Sequence, residues 1–212
     1  MLVMVSNATG IEVGLLAARY PGRIGHLFSP GGQRGPWAEL PYALDNGAWP
    51  AFKNRRPWNE AEWRALLHWA AMSGLAPLWA LVADVVGDRE GTLRAWERYE
   101  SVVRGFGFRR AFALQDGMTF GDVPDDDCML FLGGGDKWKD ANIAPWCARF
   151  PGRVHVGRVN YWPRLVASWR AGAVSVDGTG WFRRGRTIGS SQSNDLRKFL
   201  RETDQSTLRV VA

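Results

Sequence analysis

Short apolar segments alternate with helix-like segments along this chain, and the alternation limits the folds that it can adopt. Eight segments have the length and apolar character of buried strands. They lie at residues 2–5, 24–28, 42–45, 78–82, 111–115, 129–132, 154–156 and 174–177. Helical patterns follow most of them, at residues 11–20, 59–73, 88–105, after strand six through about 150 (interrupted at Pro145), 163–171 and from about 194 onward. Strands that alternate with helices in this way predict a parallel sheet.

Eight strands favour a closed (β/α)8 barrel over an open sheet. An open doubly wound sheet usually has fewer strands and binds its ligand at one point. A barrel gathers residues from the C-terminal ends of many strands, and here polar residues end strands three, four, five, six and eight. Because 212 residues are few for this fold, we expect a compact TIM-like barrel with trimmed loops and one helix missing. The whole chain, 1–212, is predicted as one domain with a loose tail from about 206.

The composition is that of a globular protein without a membrane span. Hydrophobic residues make up 46% and charged residues 23% of the chain, which excludes a disordered protein. No apolar stretch approaches the roughly 20 residues that a span needs, and residues 1–5 resemble a first strand and not a signal peptide. The two cysteines, Cys128 and Cys147, form neither a disulfide framework nor a thiolate zinc site. We therefore expect a cytoplasmic protein with no membrane partner.

Three aspartates at the ends of apolar segments are the candidate catalytic residues: Asp45, Asp84 and Asp177. Gln115 ends strand five, and glycines 133–135 follow strand six. Carboxylates, an amide and glycine backbone suit a flat, hydrogen-bonding ring such as a purine. One carboxylate can attack an anomeric carbon while a second moves a proton. Taken singly, each aspartate could equally be a helix cap or a turn residue.

Basic residues concentrate around these strand ends. A net charge of +6 is by itself unremarkable, but Lys137 and Lys139 follow the glycine triplet and Arg158 follows strand seven. Such placement on the loops of a candidate site favours a polyanionic substrate. Three tryptophans near the motifs are candidates for stacking on a base; they are Trp49, Trp138 and Trp181.

The remaining catalytic residue types provide no competing site. The three histidines, His26, His68 and His155, are scattered and are predicted to be structural. No Ser-His-Asp set is evident, and the sequence has neither a P-loop nor a nucleotide-binding glycine fingerprint. The acidic run at 125–127 is expected to be a solvated turn.

The ordered set of strand-end segments resembles the tRNA-guanine transglycosylase superfamily, and most closely its short phage and bacterial relatives, the DNA-guanine transglycosylases. The resemblance rests on Leu-Asp-Asn-Gly at 44–47, Ala-Asp at 83–84, Leu-Gln-Asp-Gly at 114–117, Leu-Gly-Gly at 132–134 and Val-Asp-Gly at 176–178. Gly-Arg-Val-Asn at 157–160 adds to it. The similar segments span about residues 42–186 in the same order.

This resemblance implies a (β/α)8 barrel that exchanges guanine in a polynucleotide for a 7-deazaguanine such as preQ0 without breaking the backbone. Asp177 would be the nucleophile at C1′, and Asp45 would move the proton. The implied base-binding residues are Asp84, Gln115, Gly133 and Gly134. The predicted nucleic-acid contacts are Lys137, Arg158, Arg183, Arg184 and Arg186.

One departure from the family bears on the polymer. The tRNA enzymes have a zinc site of three cysteines and a histidine after the nucleophile, whereas this chain has no cysteine after Cys147, so we expect no cofactor. The departure favours DNA as partner, with a free 7-deazaguanine base as co-substrate and helper proteins that open the duplex. Three alternatives stay open: modification of RNA, a base or nucleoside hydrolase that uses the same carboxylates, and a non-catalytic nucleic-acid-binding barrel.

Overall fold

The computed structural model describes residues 1–7, 10–33, 40–124, 127–182 and 191–209, without the side chains of 191–193 and 205–209. Three of the predicted nucleic-acid contacts, Arg183, Arg184 and Arg186, lie outside the described residues. Asp125 and Asp126 of the expected acidic turn lie outside them too.

Eight parallel strands close into a barrel in chain order, which confirms the predicted fold class. Each predicted strand is found within two residues of its expected bounds. The strands are β1 (Leu2–Ser6), β2 (Ile24–Phe28), β3 (Tyr42–Leu44), β4 (Ala80–Leu81), β5 (Arg110–Leu114), β6 (Met129–Leu132), β7 (Val154–Val156) and β8 (Ser175–Gly178). Pairing of β1 with β8 closes the ring and sets Met4 opposite Asp177.

Seven α-helices are found among the described residues. They are α1 (Ile11–Arg19), α2 (Ala48–Lys53), α3 (Glu60–Met72), α4 (Arg89–Gly105), α5 (Asp136–Arg149), α6 (Trp162–Arg170) and α7 (Ser191–Arg209). As predicted, Asn59 caps α3, since its side chain accepts a hydrogen bond from the Glu62 amide. In the described part of the β2–β3 connection there is no helix, and the described part of the β5–β6 connection has only the short 3₁₀ helix Phe120–Asp122.

Three helices differ from the sequence prediction. Helix α2 lies in a segment for which no helix is predicted, and Pro50 occupies its first turn, where the missing N–H costs no hydrogen bond. Helix α5 continues through Pro145, with Ile143, Trp146 and Cys147 buried on its inner side. Helix α7 extends to Arg209, beyond the point at which the sequence predicts a loose tail.

The strands divide their side chains between two cores, as the two-residue period of a strand requires. One face contributes the compact cluster of Met4, Leu27, Ala43, Leu81, Ala113 and Met129, which fills the barrel. The other face packs beneath the helices in larger clusters that include Val3, Phe112, Leu130 and Val176. Polar residues two positions beyond the barrel-filling ones therefore face the C-terminal mouth of the barrel. Within the described residues, no helix combines the length and apolar character needed to cross a membrane.

Candidate active site

A cavity of about 820 Å³ opens at the C-terminal ends of the strands. Every one of the eight strand-end connections contributes to its wall, and this is the position at which barrel enzymes hold their active sites. Its size is in the range of small-molecule sites. Seven of the predicted site residues line it: Asp45, Asp84, Gln115, Gly133, Gly134, Arg158 and Asp177.

Asp177 lies within β8, and its carboxylate is held from three directions. Oδ1 accepts a hydrogen bond from the backbone amide of Arg158 at 3.0 Å and lies 3.1 Å from Nε2 of His155. Among the described residues, Oδ2 accepts only a longer bond, 3.3 Å, from the hydroxyl of Ser6. The side chain is buried yet lines the cavity, so Oδ2 is the oxygen with free capacity toward a ligand.

His155 belongs to this site, although the sequence led us to predict a purely structural role. It is fully buried in β7 and bridges two residues of β8, with Nδ1 2.8 Å from the Ser175 hydroxyl and Nε2 facing Asp177. An ionised carboxylate can only accept, so a neutral His155 donates from Nε2 and accepts from Ser175 at Nδ1. Register is the signal that would have found it: His155 pairs with Ser175, two residues before Asp177 on the same strand face.

Asp45 follows β3 and shares the cavity with Asp177. Its Oδ2 accepts a hydrogen bond from the Ser29 hydroxyl at 2.9 Å, and its Oδ1 lies 3.4 Å from the Gly47 amide. Burial raises the pKa of Asp45, and the negative charge of Asp177 raises it further, against the opposing effect of the Ser29 hydrogen bond. Asp45 is thus a carboxyl group whose surroundings favour the protonated form.

Asp84 is clamped between two side-chain amides. Asn46 Nδ2 donates to its Oδ1 at 2.7 Å, and Gln115 Nε2 donates to its Oδ2 at 2.6 Å. The amides are themselves fixed, since Asn46 also donates to the Val82 carbonyl and Gln115 accepts from the Gly87 amide. Burial, and secondarily the charge of Asp45, raises the pKa of Asp84 to about 6. Each oxygen of Asp84 keeps a lone pair for a ligand, whereas Gln115 is committed to holding Asp84.

The two glycines after β6 that are predicted to line the base, Gly133 and Gly134, differ in the partners of their backbone amides. The Gly133 amide donates to the Leu114 carbonyl at 3.0 Å and so belongs to the barrel. Gly134 has a left-handed backbone, φ +70°, and a Cβ there would lie 2.3 Å from Oδ1 of Asp116, so only glycine fits. Among the described residues the Gly134 amide meets no acceptor. It is the backbone donor of this loop that a ligand could use.

Arg158 ties the loop after β7 to the rest of the site. Its φ of +57° is uncommon for a residue with a side chain. Two backbone bonds to Asp177 hold this conformation, one from the Arg158 amide to Oδ1 and one from the Val159 amide to the carbonyl at 2.6 Å. The guanidinium donates to the Gly134 carbonyl and lies over the ring of Trp49, 3.8 Å from its centre. Arg158 is therefore a fixed cation at the cavity wall.

The two lysines after the glycine triplet have different environments. Lys137 is exposed in the first turn of α5 and is not part of the cavity wall. Lys139 was expected on a loop facing a polyanion, and that expectation is wrong: it is fully buried, and its Nζ donates to the Gly157 carbonyl at 2.8 Å. Helical periodicity explains this, because position 139 shares a face with the buried residues 143, 146 and 147. Burial, with the charges of Arg158 and Arg164, lowers the Lys139 pKa to about 7.

Only one of the three loop tryptophans is placed for stacking. Trp49 lies in α2 at the cavity mouth and is 37% exposed. Trp181 is buried, and Trp138 packs half-buried against the core under the helices. Among the described residues, no group of three or more His, Cys, Asp or Glu side chains is arranged to hold a metal ion.

No family model and no curated protein matches the chain, but solved structures resemble its fold. A structure titled "Native KDPGal structure" matches with a TM-score of 0.50 and 14% identity over 96% of both chains. A glycerol uptake operon antiterminator regulatory protein from Listeria monocytogenes matches with a TM-score of 0.42 and 6% identity, covering 90% of this chain and 96% of that one. A designed cube-shaped protein cage matches at 0.46 and 12%, covering 99% and 78%. At 14% identity the first likeness concerns the barrel fold alone.

Proposed function

We propose that this protein is a base-exchange transglycosylase that replaces guanine in DNA with a 7-deazaguanine such as preQ0. The observation behind the proposal is that three carboxylates with different surroundings, Asp45, Asp84 and Asp177, meet in one cavity. Exchange at a glycosidic bond needs a nucleophile, a proton carrier and a group that reads the base. The surroundings of the three carboxylates suit one of these roles each, and the order along the chain resembles that of the guanine transglycosylases.

Asp177 is the nucleophile of the proposed reaction. Oδ2 attacks C1′ of the target nucleotide while His155 and the Arg158 amide hold Oδ1. The C1′–N9 bond breaks, its electron pair leaves with guanine, and an ester between Asp177 and C1′ remains. The phosphodiester backbone is untouched, so the strand stays intact throughout.

Asp45 is the proton carrier. Its raised pKa favours the protonated acid, which gives its proton to the departing guanine. The incoming 7-deazaguanine then returns a proton from its N9 to Asp45 as N9 attacks C1′ and releases the Asp177 carboxylate. Protons and electrons balance over the two steps, because one purine-like base leaves as another enters.

Asp84 reads the base. Guanine presents two donors side by side, N1–H and the 2-amino group, and a carboxylate accepts both. Asn46 and Gln115 orient Asp84 for this, and the Gly134 amide suits the neighbouring O6 of the ring. A 7-deazaguanine has the same edge, so one pocket accommodates both the leaving and the entering base.

The test is release of labelled guanine from DNA in the presence of preQ0. We expect release that depends on preQ0, loss of about 1,000-fold or more for Asp177→Ala, and loss of about 100-fold for Asp45→Asn. Glu97→Gln, an exposed acid on α4 outside the cavity, is the matched control and should keep full activity. A covalent DNA–protein adduct on a denaturing gel should form with the wild type and disappear with Asp177→Ala.

Each competing function has a distinct result in this assay. Release of guanine without any added base indicates a hydrolase. Exchange in RNA but not in DNA changes the polymer and keeps the chemistry. Equal release by wild type and Asp177→Ala contradicts the mechanism, and nucleic-acid binding that survives replacement of Asp45 and Asp177 with no release of base indicates a non-catalytic binding barrel.

A further inference from the structure

Residues 49–56 form a surface of aromatic rings and cations beside the cavity, which we call the α2 platform. The segment begins four residues after Asp45, and no acidic residue occurs between Asp45 and Glu60. It comprises most of α2 and the turn behind it. Trp49, Lys53 and neighbours in the platform line the cavity itself, so this surface adjoins the site of the proposed reaction.

The aromatic part of the platform leads outward from the cavity. The Arg158 guanidinium covers one ring, that of Trp49, at 3.8 Å from its centre. The Phe52 ring lies 5.9 Å from the Trp49 ring at an interplanar angle of 30°, and Phe52 is 58% exposed. Phe52 itself does not line the cavity, but it lies between Trp49 and Lys53, which do. A large apolar ring with this exposure is available for stacking with a flat ligand.

The cations of the platform have no acidic partner among the described residues. Lys53, Arg55 and Arg56 are exposed and make no ion pair there, whereas Arg164, also in the cavity wall, is paired with Asp136 and Asp140. Arg55 has a left-handed backbone, φ +53°, and the Arg55 and Arg56 amides bond back to the Phe52 and Ala51 carbonyls at 3.0 and 2.9 Å. The turn is thus held by its own backbone and leaves the three charges to solvent.

We infer that the α2 platform binds an unpaired nucleic-acid strand next to the target nucleotide. This inference rests on the proposed function and adds the form of the polymer to it. Stacking on Phe52 needs the open face of a base, which paired bases in a duplex do not offer, whereas an unpaired base does. Lys53, Arg55 and Arg56 complement the phosphates on either side of that base.

The test is equilibrium binding of a labelled 12-nucleotide single strand and of the matched duplex, measured by fluorescence anisotropy at several salt concentrations. The variants are Phe52→Ala and the triple Lys53→Gln, Arg55→Gln, Arg56→Gln. The matched control replaces Arg19, Arg149 and Arg170 with glutamine. These exposed arginines end α1, α5 and α6, which places them at the opposite end of the barrel. Circular dichroism melting checks that every variant folds.

We expect Phe52→Ala to weaken single-strand binding about tenfold and to leave duplex binding nearly unchanged. The platform triple should reduce the slope of log affinity against log salt by about 2, because each lost phosphate contact contributes about 0.7 on a single strand. The control triple should leave the single-strand slope within about 0.5 of the wild-type value. Single-strand binding that is unaffected by Phe52→Ala, or that falls equally with the control triple, overturns the inference; so does equal loss of duplex binding.

Failure of the platform and failure of the proposed function are distinguishable, because binding is measured without a free base and without turnover. Single-strand binding that depends on Phe52, with no base exchange, keeps the platform and rejects the transglycosylase. Base exchange by Phe52→Ala at the wild-type KM for the polymer keeps the chemistry and rejects the platform.

Discussion

At the scale of single residues, the nucleophile candidate depends on a buried neighbour. His155 packs between the rings of Phe131 and Trp79, at centroid distances of 4.9 and 5.0 Å, and reaches Asp177 from below the cavity floor. It does not line the cavity, so it acts through Asp177 as a positioning residue. A misplacement of the attacking oxygen by about 1 Å is enough to cost about 100-fold in rate.

His155→Phe is predicted to reduce kcat of base exchange by about 10- to 100-fold and to leave KM for the 7-deazaguanine unchanged. Phenylalanine keeps the aromatic packing and removes the hydrogen bond to Asp177, and His155 does not contact Asp84 or the two amides that hold it. Steady-state kinetics with varied base concentration measures the two parameters.

His155→Gln, which retains a side-chain donor, should recover part of kcat, and Ser175→Ala should have the smaller effect of a more distant contact. A drop in melting temperature with kcat intact would assign His155 a structural role only.

At the scale of elements, the pairing between β3 and β4 is the shortest in the barrel, because a single residue pair, Leu44 and Ala80, aligns the two strands. The side chain of Asn46 adds hydrogen bonds between the ends of these two strands. It donates to the Val82 carbonyl just after β4 and to Asp84, and it accepts from the Ala48 amide at the start of α2. One buried amide thereby joins two strand ends to the first turn of a helix.

Asn46→Ala is predicted to lower the free energy of unfolding by about 2–3 kcal/mol, because it leaves the Val82 carbonyl and one Asp84 oxygen without their shared donor in a buried place. Urea denaturation followed by tryptophan fluorescence measures the change. Asn54→Ala, which removes an exposed asparagine eight residues later, should change it by no more than about 0.5 kcal/mol. Equal effects of the two variants would contradict the role given to Asn46.

At the scale of the whole molecule, the carboxyl groups gathered at one end of the barrel lower the stability of the folded state at neutral pH. The pKa values of Asp45 and Asp84 are both raised, first by burial and then by a neighbouring carboxylate. A carboxyl group with a raised pKa in the folded state stabilises the fold fully below its ordinary pKa, and this contribution is lost as the pH rises through the folded value. Ionisation of the site at neutral pH therefore opposes folding.

Asp45→Asn is predicted to raise the free energy of unfolding by about 1 kcal/mol at pH 8. Asparagine keeps the contacts to Ser29 and Gly47 and carries no charge. The gain should vanish near pH 4, close to the ordinary carboxyl pKa of 3.8, where the native aspartate is protonated too. Thermal melting at the two pH values measures it, with Glu97→Gln as a control of no effect; a variant less stable than wild type at pH 8 would contradict the argument.

The sequence by itself determined the barrel and the positions of its strand-end acids, because strands are read from local apolar runs and parallel strands bring their C-terminal ends together. It could not assign the environment of Lys139, which is buried on the inner side of α5. Nor could it assign His155, which lies beside Asp177 only once β7 pairs with β8. Nor could it separate the duties of Asp84 and Gln115, which the fold joins by a 2.6 Å hydrogen bond. Those assignments depend on contacts between residues 18 to 31 positions apart, and only the closed tertiary structure brings such residues together.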